Sequence, residues 1–365
     1  MKLGFLDFFG DIANFLRGGS VLGVDIGTSS IKIAEILKKG DSFRLANYGI
    51  LETKSYLEHP NQAIQTSSLR IVEKDAAELL KTMLREIKPK TRTAIASIPA
   101  FVSFVTPIEM PLMKPDETSK AVAFEARQLI PLPPSEVTLD WLKIEEFQGS
   151  RGQSMQRILL MGVPNEIVRK YKTIFKTADV KIAAFEIESL ALVRALAGAD
   201  NVLTLSVDIG AEATNILVSE NGVLKYNGVT DYGGIYITQA VGRSLGVSSM
   251  RAEELKRRRG LTGTGGEMEL STLIVPFLDV IIQECRHVVD VCERRYGKRA
   301  EKLILTGGGA NLLGIEKYFV SQLNLPLGQA PQLSNLVYEP DLEPARKGLD
   351  NALLVAIGLA KRYFK

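Results

Sequence analysis

The feature that most constrains this chain is a repeat. An apolar strand runs into Asp-Ile-Gly, turns back at once and re-enters a second apolar strand. It does so twice, at Val24-Asp25-Ile26-Gly27 and at Val207-Asp208-Ile209-Gly210. Two widely spaced copies in 365 residues do not suit a solenoid; they predict two domains related by duplication. The length agrees, since it allows about two domains of ~150 residues. Composition adds one exclusion. With 45% hydrophobic and 24% charged residues and a net charge of +3, the chain is an ordinary globular sequence without a global electrostatic case for nucleic acid.

Each turn carries residue types that phosphate binding needs. In the first, Gly27 admits a positive φ. Thr28, Ser29 and Ser30 offer hydroxyls and consecutive N–H groups, an array that can cradle a polyphosphate. Lys32 adds a point charge, and Asp25 could hold Mg2+ through water, because Mg2+ keeps much of its hydration shell. A plain hairpin with a polar tip would also read this way, so the weight rests on the pairing with the second copy. There Asp208 ends a strand, Gly210 and Ala211 make the turn, and Thr214 and Asn215 re-enter the next strand. Two acidic strand ends facing one another across a cleft could clasp a phosphate tail and its metal from both sides. A third loop, Gly307-Gly308-Gly309 directly after the strand LILT, permits close backbone approach to a ligand, and the helix start that follows offers free N–H groups. It lacks the Gly-Lys-Ser/Thr of a Walker A loop and misses the GxGxxG spacing of a dinucleotide fold.

The remaining segments organise around these loops. Strands are predicted at VLGVDIG, SIKIAEILKK and SFRLANYGIL, a polar helix near 72–87, and a strand at TRTAIASIPA. FVSFVTPIEMP, a helix at about 115–130, the turn IPLPPSE and the strand VTLDWLKIEEF form an insert-like unit, closed by a hairpin turn at GSRGQS and the strand RILLMGVP. A helix over 165–177 and a strand–helix pair in VKIAAFEIESLALVRALAG complete the first half. The second half has a strand meander with an Asn221-Gly222 hairpin turn, a helical region over about 235–298 with a Gly-rich break, and a last helix at about 349–363.

Other features carry less. Leu3, Phe5, Leu6, Phe8, Phe9, Ile12, Phe15 and Leu16 fit a helix with a broad apolar face. Such a helix could pack on its own domain, dock to a partner or lie on a membrane, and its low cationic content weighs against the membrane. No apolar run approaches the ~20 residues of a membrane span and no signal peptide is evident, so a cytoplasmic protein is expected. Cys285 and Cys292 lack a CxxC or Cys/His context and read as packed, reduced thiols. The run Lys256-Arg257-Arg258-Arg259 fits a solvated helix end, where cations complement the dipole.

The order DIGTSSIK, EIESLAL, DIGAEATN, GGIYITQA with AEELK, and LTGGGANLLG resembles the actin, DnaK-type chaperone and sugar-kinase superfamily. The opening VLGVDIGTSSIKIAEI is similar to the PilM family of type IV pilus assembly, with the FtsA division proteins next. The resemblance spans residue 21 to the C-terminus. It implies an α/β, actin-like fold of two ribonuclease H-like domains with a small inserted α/β subdomain. The first domain would comprise 21–100 and 165–200, closed by a C-terminal helix at 349–365. The insert would be 101–164 and the second domain 201–348, with a helical subdomain at about 235–300, behind an amphipathic segment at 1–20.

The resemblance further implies ATP or ADP with Mg2+ as ligand. Asp25 and Asp208 match the aspartates that hold hydrated Mg2+. Gly27, Thr28, Ser29 and Ser30 match the first phosphate loop, with Lys32 at the offset of a phosphate-contacting lysine. Gly210, Ala211 and Thr214 match the second phosphate loop, Glu253 and Lys256 an adenosine-contacting E-x-x-K pair, and Gly307, Gly308 and Gly309 the adenosine loop. Glu188 falls where relatives carry an acidic or amide residue facing the attacking water. Asn215 departs from the pattern: relatives carry Asp or His there, and an amide is a poor general base, so slow hydrolysis is expected. The implied partner is the cytoplasmic N-terminal peptide of a PilN-like inner-membrane protein, held in a groove near 101–164. Other pilus platform and motor proteins, and a homo-oligomer or ring, are compatible with it. Contact with the membrane would be indirect. A sugar or metabolite kinase and an FtsA-like division protein are the alternatives; no clear substrate loop favours the first, and no separate C-terminal tether favours the second.

Overall fold

A computed structural model of the chain describes residues 19–40, 42–52, 73–197, 201–262, 268–328 and 336–364. The apolar segment expected as an N-terminal helix lies outside them. The first copy of the repeat opens with β1 (Ser20–Ile26), β2 (Ser30–Lys39) and β3 (Ser42–Glu52), joined antiparallel. Helix α1 (Glu73–Ile87) carries the chain across to β4 (Thr93–Ile98), which runs parallel to β1.

The insert follows as β5 (Phe104–Pro111), α2 (Pro115–Leu129), β6 (Val137–Gln148) and β7 (Ser154–Pro164). It forms its own three-stranded sheet in the order β5-β7-β6. Strand β7 serves two cores because successive side chains point to opposite faces. Ile158 and Leu160 pack with Val122 and Ala126 of α2, while Leu159, Met161 and Val163 join the core of the first half. A register shift between Lys143 and Glu145 swaps the faces of β6 beyond that point.

Helix α3 (Asn165–Thr177), strand β8 (Lys181–Ile187) and helix α4 (Glu188–Leu196) return to the first half, with β8 parallel to β4. The second copy then repeats the plan. Strands β9 (Thr204–Ile209), β10 (Thr214–Glu220) and β11 (Val223–Thr230) are antiparallel. Asn221 and Gly222 sit at φ 54° and 71°, the left-handed pair that a two-residue hairpin turn requires. Helices α5 (Gly234–Leu245), α6 (Ser249–Arg259) and α7 (Met268–Tyr296) lead to β12 (Lys302–Thr306), parallel to β9. Helix α8 (Ile315–Leu323) leads to Leu327, whose parallel bridge to Leu303 stands where β8 stands in the first half.

Strand β13 (Leu336–Val337) pairs with β3, and α9 (Arg346–Arg362) packs back onto the first half. The chain has therefore rejoined the first sheet by Leu336, ahead of the boundary expected at 348. The sheet orders are β13-β3-β2-β1-β4-β8 and β11-β10-β9-β12.

All of β1 is buried, which explains its continuous apolar run: helices cover both faces of a strand in this position. Leu80, Leu84, Tyr171 and Phe175 of α1 and α3 belong to this core, as do Leu353, Ala356 and Ile357 of α9. Gly23 allows α9 to sit directly on the strand, since a Cβ there would lie 1.7 Å from the Ala356 carbonyl oxygen. Cys285 and Cys292 are buried, unbridged thiols in the core of the second half. Among the described residues no helix is long and apolar enough to cross a membrane.

Gly23→Ala should therefore lift α9 and destabilise the fold by about 3 kcal/mol or more. Gly19→Ala, where the added carbon meets nothing within 4 Å, should stay within about 0.5 kcal/mol. Chemical denaturation of the two variants checks the contrast.

Candidate functional site

Asp25 and Asp208 stand near the C-terminal ends of β1 and β9, and the turns after them close with the same hydrogen bond. Gly27 N–H donates to the Ser30 carbonyl at 2.9 Å, and Gly210 N–H donates to the Ala213 carbonyl at 3.0 Å. The registers also agree, pairing Asp25 with Lys32 and Asp208 with Asn215. Lys32 and Asn215 are thus equivalent positions, one filled by a cation and one by an amide. The adjacent parallel strand treats both aspartates alike. Ser97 Oγ at the end of β4 donates to Asp25 Oδ1 at 2.8 Å, and Thr306 Oγ1 at the end of β12 donates to Asp208 Oδ1 at 3.1 Å. A 3-10 turn follows each hydroxyl, at Ala100–Val102 and Gly308–Asn311.

The two aspartates share one electrostatic site. Burial raises the proton affinity of Asp208 and of Glu188, the first residue of α4; the Asp25 charge adds to both, and the Asp208 charge adds to Glu188. Burial pushes the Glu188 carboxyl up, and the Asp25 charge adds to it, carrying it to about 8. The hydrogen bonds Glu188 Oε1 accepts from the Ala100 N–H and from Asn215 Nδ2, both at 2.9 Å, oppose that rise. Burial also holds Asp208 above its ordinary value, against the pull of Lys32 and of the Thr306 hydroxyl. Lys32 Nζ lies 4.0 Å from Asp25 Oδ2. Lys32 thus pairs with Asp25 and its charge also reaches Asp208, while Glu188 adds a third carboxyl whose proton affinity the two aspartates raise. Asn215 Oδ1 is buried and has no hydrogen-bond partner.

A glycine-lined wall completes the site. Gly307 adopts φ 81°, and a Cβ there would come within 2.6 Å of Asp208 Oδ1, so only glycine fits beside the carboxylate. A Cβ on Gly308 would meet nothing within 4 Å, which leaves that backbone open to a ligand. The Leu261 N–H donates to the Leu313 carbonyl at 2.8 Å and ties the end of α6 to this loop. Helix α5 starts on the second turn, with Gly234 N–H donating to Gly210 O and Ile235 N–H to Ala211 O.

Most of the residues expected from sequence gather here, with revisions. Gly27, Thr28, Ser29, Ser30, Gly210 and Ala211 form half-buried turn tips. Thr214 does not present its hydroxyl: it pairs with Ile209 inside the ladder, is fully buried and donates to the Tyr232 carbonyl at 2.7 Å. Glu253 and Lys256 form an inward ion pair at 2.6 Å. Lys256 Nζ also donates to the Gly234 carbonyl and to Thr238 Oγ1, so the pair braces the start of α5. Burial works against the Glu253 charge, but Lys256 and the hydrogen bonds from Lys256, Thr238 and Arg257 outweigh it and hold the carboxyl below its usual range. Ser97 and the Ala100 N–H were not foreseen, and Thr306, expected only as the start of the third loop, bonds Asp208. Their signal is positional: Ser97 and Thr306 fall within the last two residues of the strands parallel to the DIG strands, and Ala100 lies two residues beyond β4.

Comparison with known proteins agrees with this geometry. The sequence matches the family described as type IV pilus assembly protein PilM over residues 23–364. The fold is similar to that of a PilM-PilN type IV pilus biogenesis complex, with TM-score 0.81, 22% identity, and 96% of this chain and 99% of that chain covered. It is also similar to MreB5 of Spiroplasma citri bound to ADP, with TM-score 0.54, 11% identity, and 95% and 96% covered. Cell division protein FtsA of Streptococcus pneumoniae serotype 2 (strain D39 / NCTC 7466) is 23% identical over 335 residues, 82% of this chain and 71% of that protein. The fold is actin-like, α/β.

The raised Glu188 pKa has a consequence for stability. The native carboxyl holds its proton up to about 8, whereas an unfolded glutamate releases it near ~4.3. The folded state therefore binds the extra proton between those values, and stability falls as pH rises through that window. Glu188→Gln keeps an acceptor for Ala100 and Asn215 without the charge. It should raise ligand-free stability at pH 8 by on the order of a few kcal/mol and leave it nearly unchanged at pH 4. Thermal melts at the two pH values check this.

Proposed function

The chain belongs to the type IV pilus assembly protein PilM family, and from that premise we propose that it is an ATP-binding scaffold whose insert holds a PilN-like partner peptide. The observation that carries the nucleotide part is the shared site of Asp25 and Asp208, reached from two halves of the molecule by turns with the same internal hydrogen bond.

The residues suit a magnesium nucleotide. Among the described residues no three His, Cys, Asp or Glu side chains form a direct metal cluster. Asp25 and Asp208 would hold Mg2+ through its water shell, which is the usual mode for this ion. The metal would neutralise phosphate charge. The turn N–H groups and Lys32 would position the phosphates, and the backbone at Gly308 would lie against the nucleoside. The adenosine role of Glu253 and Lys256 is indirect in this reading: they fix the start of α5 and the end of α6 around it.

Hydrolysis should be slow. Asn215 has no basic lone pair to take a proton from water, and its Nδ2 is committed to Glu188. Glu188 in turn holds a proton near neutral pH until a cation enters.

The partner reading rests on the insert. The described relative is a PilM-PilN complex, and the insert of this chain exposes Leu112, Phe124, Leu129 and Leu132. A small concavity on the insert is lined by Ala123, Ala126, Arg127, Ile130, Leu132 and Val137. An extended peptide with apolar anchors fits such a surface. The partner being an inner-membrane protein, the scaffold would sit at the cytoplasmic face of that membrane.

Two measurements test the proposal. In single-turnover assays ATP should bind and hydrolyse slowly; a fast rate that Asn215→Ala abolishes would contradict it. Phe124→Glu should weaken binding of a labelled peptide from the cytoplasmic segment of the cognate PilN-like protein by about tenfold, roughly 1.4 kcal/mol, with ATP affinity unchanged.

A further inference from the structure

The parallel strands of the first sheet begin together, at the end opposite the candidate site. Leu22 of β1 pairs with Ala94 of β4, and Thr93 of β4 pairs with Lys181 of β8. Ser20 of β1 pairs with Leu37 of β2, so Lys38 and Lys39 stand just beyond the start of β1. At ~3.3 Å of rise per residue, Ser20 lies roughly 17 Å along the strand from Asp25.

Basic residues surround this end. Lys38, Lys39, Lys88, Lys90, Arg92 and Lys181 are all exposed. Among the described residues of segments 37–40, 85–93 and 176–182, the carboxylates are Glu86 and Asp179. Those two face eight Lys and Arg in the same segments, a surplus larger than the +3 of the whole chain. Cations in the last turns of α1 and α3 complement the helix dipoles. Lys38, Lys39, Arg92 and Lys181 lie on strands or a link and serve no helix end.

A buried carboxylate fastens the entry of the chain to this surface. Glu35 of β2 is fully buried. Its Oε1 accepts from Ser20 Oγ at 2.9 Å and from the Lys90 N–H at 3.0 Å, and its Oε2 accepts from Asn47 Nδ2 at 2.6 Å. One oxygen thus holds the first residue of β1 and the basic link together. The segment that precedes Ser20 joins the fold beside Lys90.

By sequence that segment is amphipathic, with Phe5, Phe9, Ile12 and Leu16 on one helical face. Asp7 and Asp11 interrupt it, and it falls short of the ~20 residues of a membrane span. Binding of such a segment to a membrane surface draws on buried apolar area and on attraction to anionic lipid together. Its own cations are Lys2 and Arg17, which is little charge for that purpose. The fold supplies the rest where the segment enters. Fixed cations act on anionic headgroups within a Debye length, about 8 Å at physiological salt. A nucleic acid would take the charge and leave the apolar face in water.

We propose that the basic end of the first sheet and the apolar segment that enters there form one binding site for an anionic lipid surface. The site is remote from the cleft and needs neither the nucleotide nor the peptide reading. Docking through it leaves the Asp25 end of the sheet turned away from the bilayer.

The test is sedimentation of the full chain with vesicles of phosphatidylcholine, with and without phosphatidylglycerol. The wild type should bind the phosphatidylglycerol vesicles, bind phosphatidylcholine alone far less, and lose affinity as salt rises. Lys39→Gln, Lys90→Gln and Arg92→Gln together should weaken binding about tenfold or more. Phe5→Ser with Phe9→Ser should weaken it by a similar factor, because the apolar area is lost. Arg251→Gln, Arg258→Gln and Arg299→Gln make the same change of charge at exposed positions of the second half. That set should stay within about twofold of the wild type, since those charges lie beyond the screening length of the docked surface.

The proposal is overturned if the wild type ignores phosphatidylglycerol vesicles or binds phosphatidylcholine equally well. It is also overturned if the second-half set loses as much affinity as the first, which would reduce the effect to net charge, or if the Phe5 and Phe9 substitutions change nothing. Retention on heparin or DNA without vesicle binding would assign the basic end to another polyanion and overturn it too.

Discussion

The arrangement of this molecule depends on placing two carboxylates where the charge of Asp25 bears on a buried Asp208. Asp25 and Asp208 end strands of different sheets, yet each half of the chain directs its aspartate into one shared, poorly solvated site that also receives Glu188. Like charges in such a place are costly unless a cation joins them. Lys32 supplies part of that charge from within the chain. The rest of the fold holds the three groups there regardless: parallel strands supply the Ser97 and Thr306 hydroxyls, and α9 locks against β1 at Gly23. A divided site of this kind links the binding of a cation-bearing ligand to the separation of the halves.

The near symmetry of the halves makes their differences informative. Lys32 and Asn215 occupy one structural position, as do Ser97 and Thr306. The first half presents a cation at this position, the second an amide bonded to Glu188. The fifth strand of the first half, β8, is reduced in the second to the bridge at Leu327. In the proposed reading, charge for binding is concentrated on one side, and basicity for hydrolysis is missing from the other. That combination suits a protein that retains its nucleotide as a structural signal.

Much of this was legible before any coordinates. The repeated DIG motif forced two related turns, alternation and turn residues marked the strands, and Asn221-Gly222 announced a left-handed hairpin. The insert was visible as a strand–helix–strand–strand unit interrupting the first half. What escaped depended on long-range geometry. The resemblance implied Thr214 as part of the second phosphate loop, but one residue of strand register turns a side chain to the other face, and the ladder places it inside. Ser97 is 72 residues from the aspartate it supports, and no spacing rule connects them. The resemblance implied Glu253 and Lys256 as adenosine contacts, but sequence does not reveal that this i, i+3 pair also braces a neighbouring helix. The setting of Arg157 was invisible, since its partners come from β5, β6 and α7 at once.

The central claim is that the two aspartates act on one bound metal–nucleotide. A double-mutant cycle on magnesium-dependent ATP affinity, measured by calorimetry with Asp25→Asn, Asp208→Asn and the pair, addresses it directly. If both carboxylates hold the same hydrated ion, either substitution removes most of the affinity and the pair costs little more than one, leaving a coupling energy of about 1 kcal/mol or greater. Strictly additive losses, or single substitutions that leave affinity and its magnesium dependence intact, would contradict it.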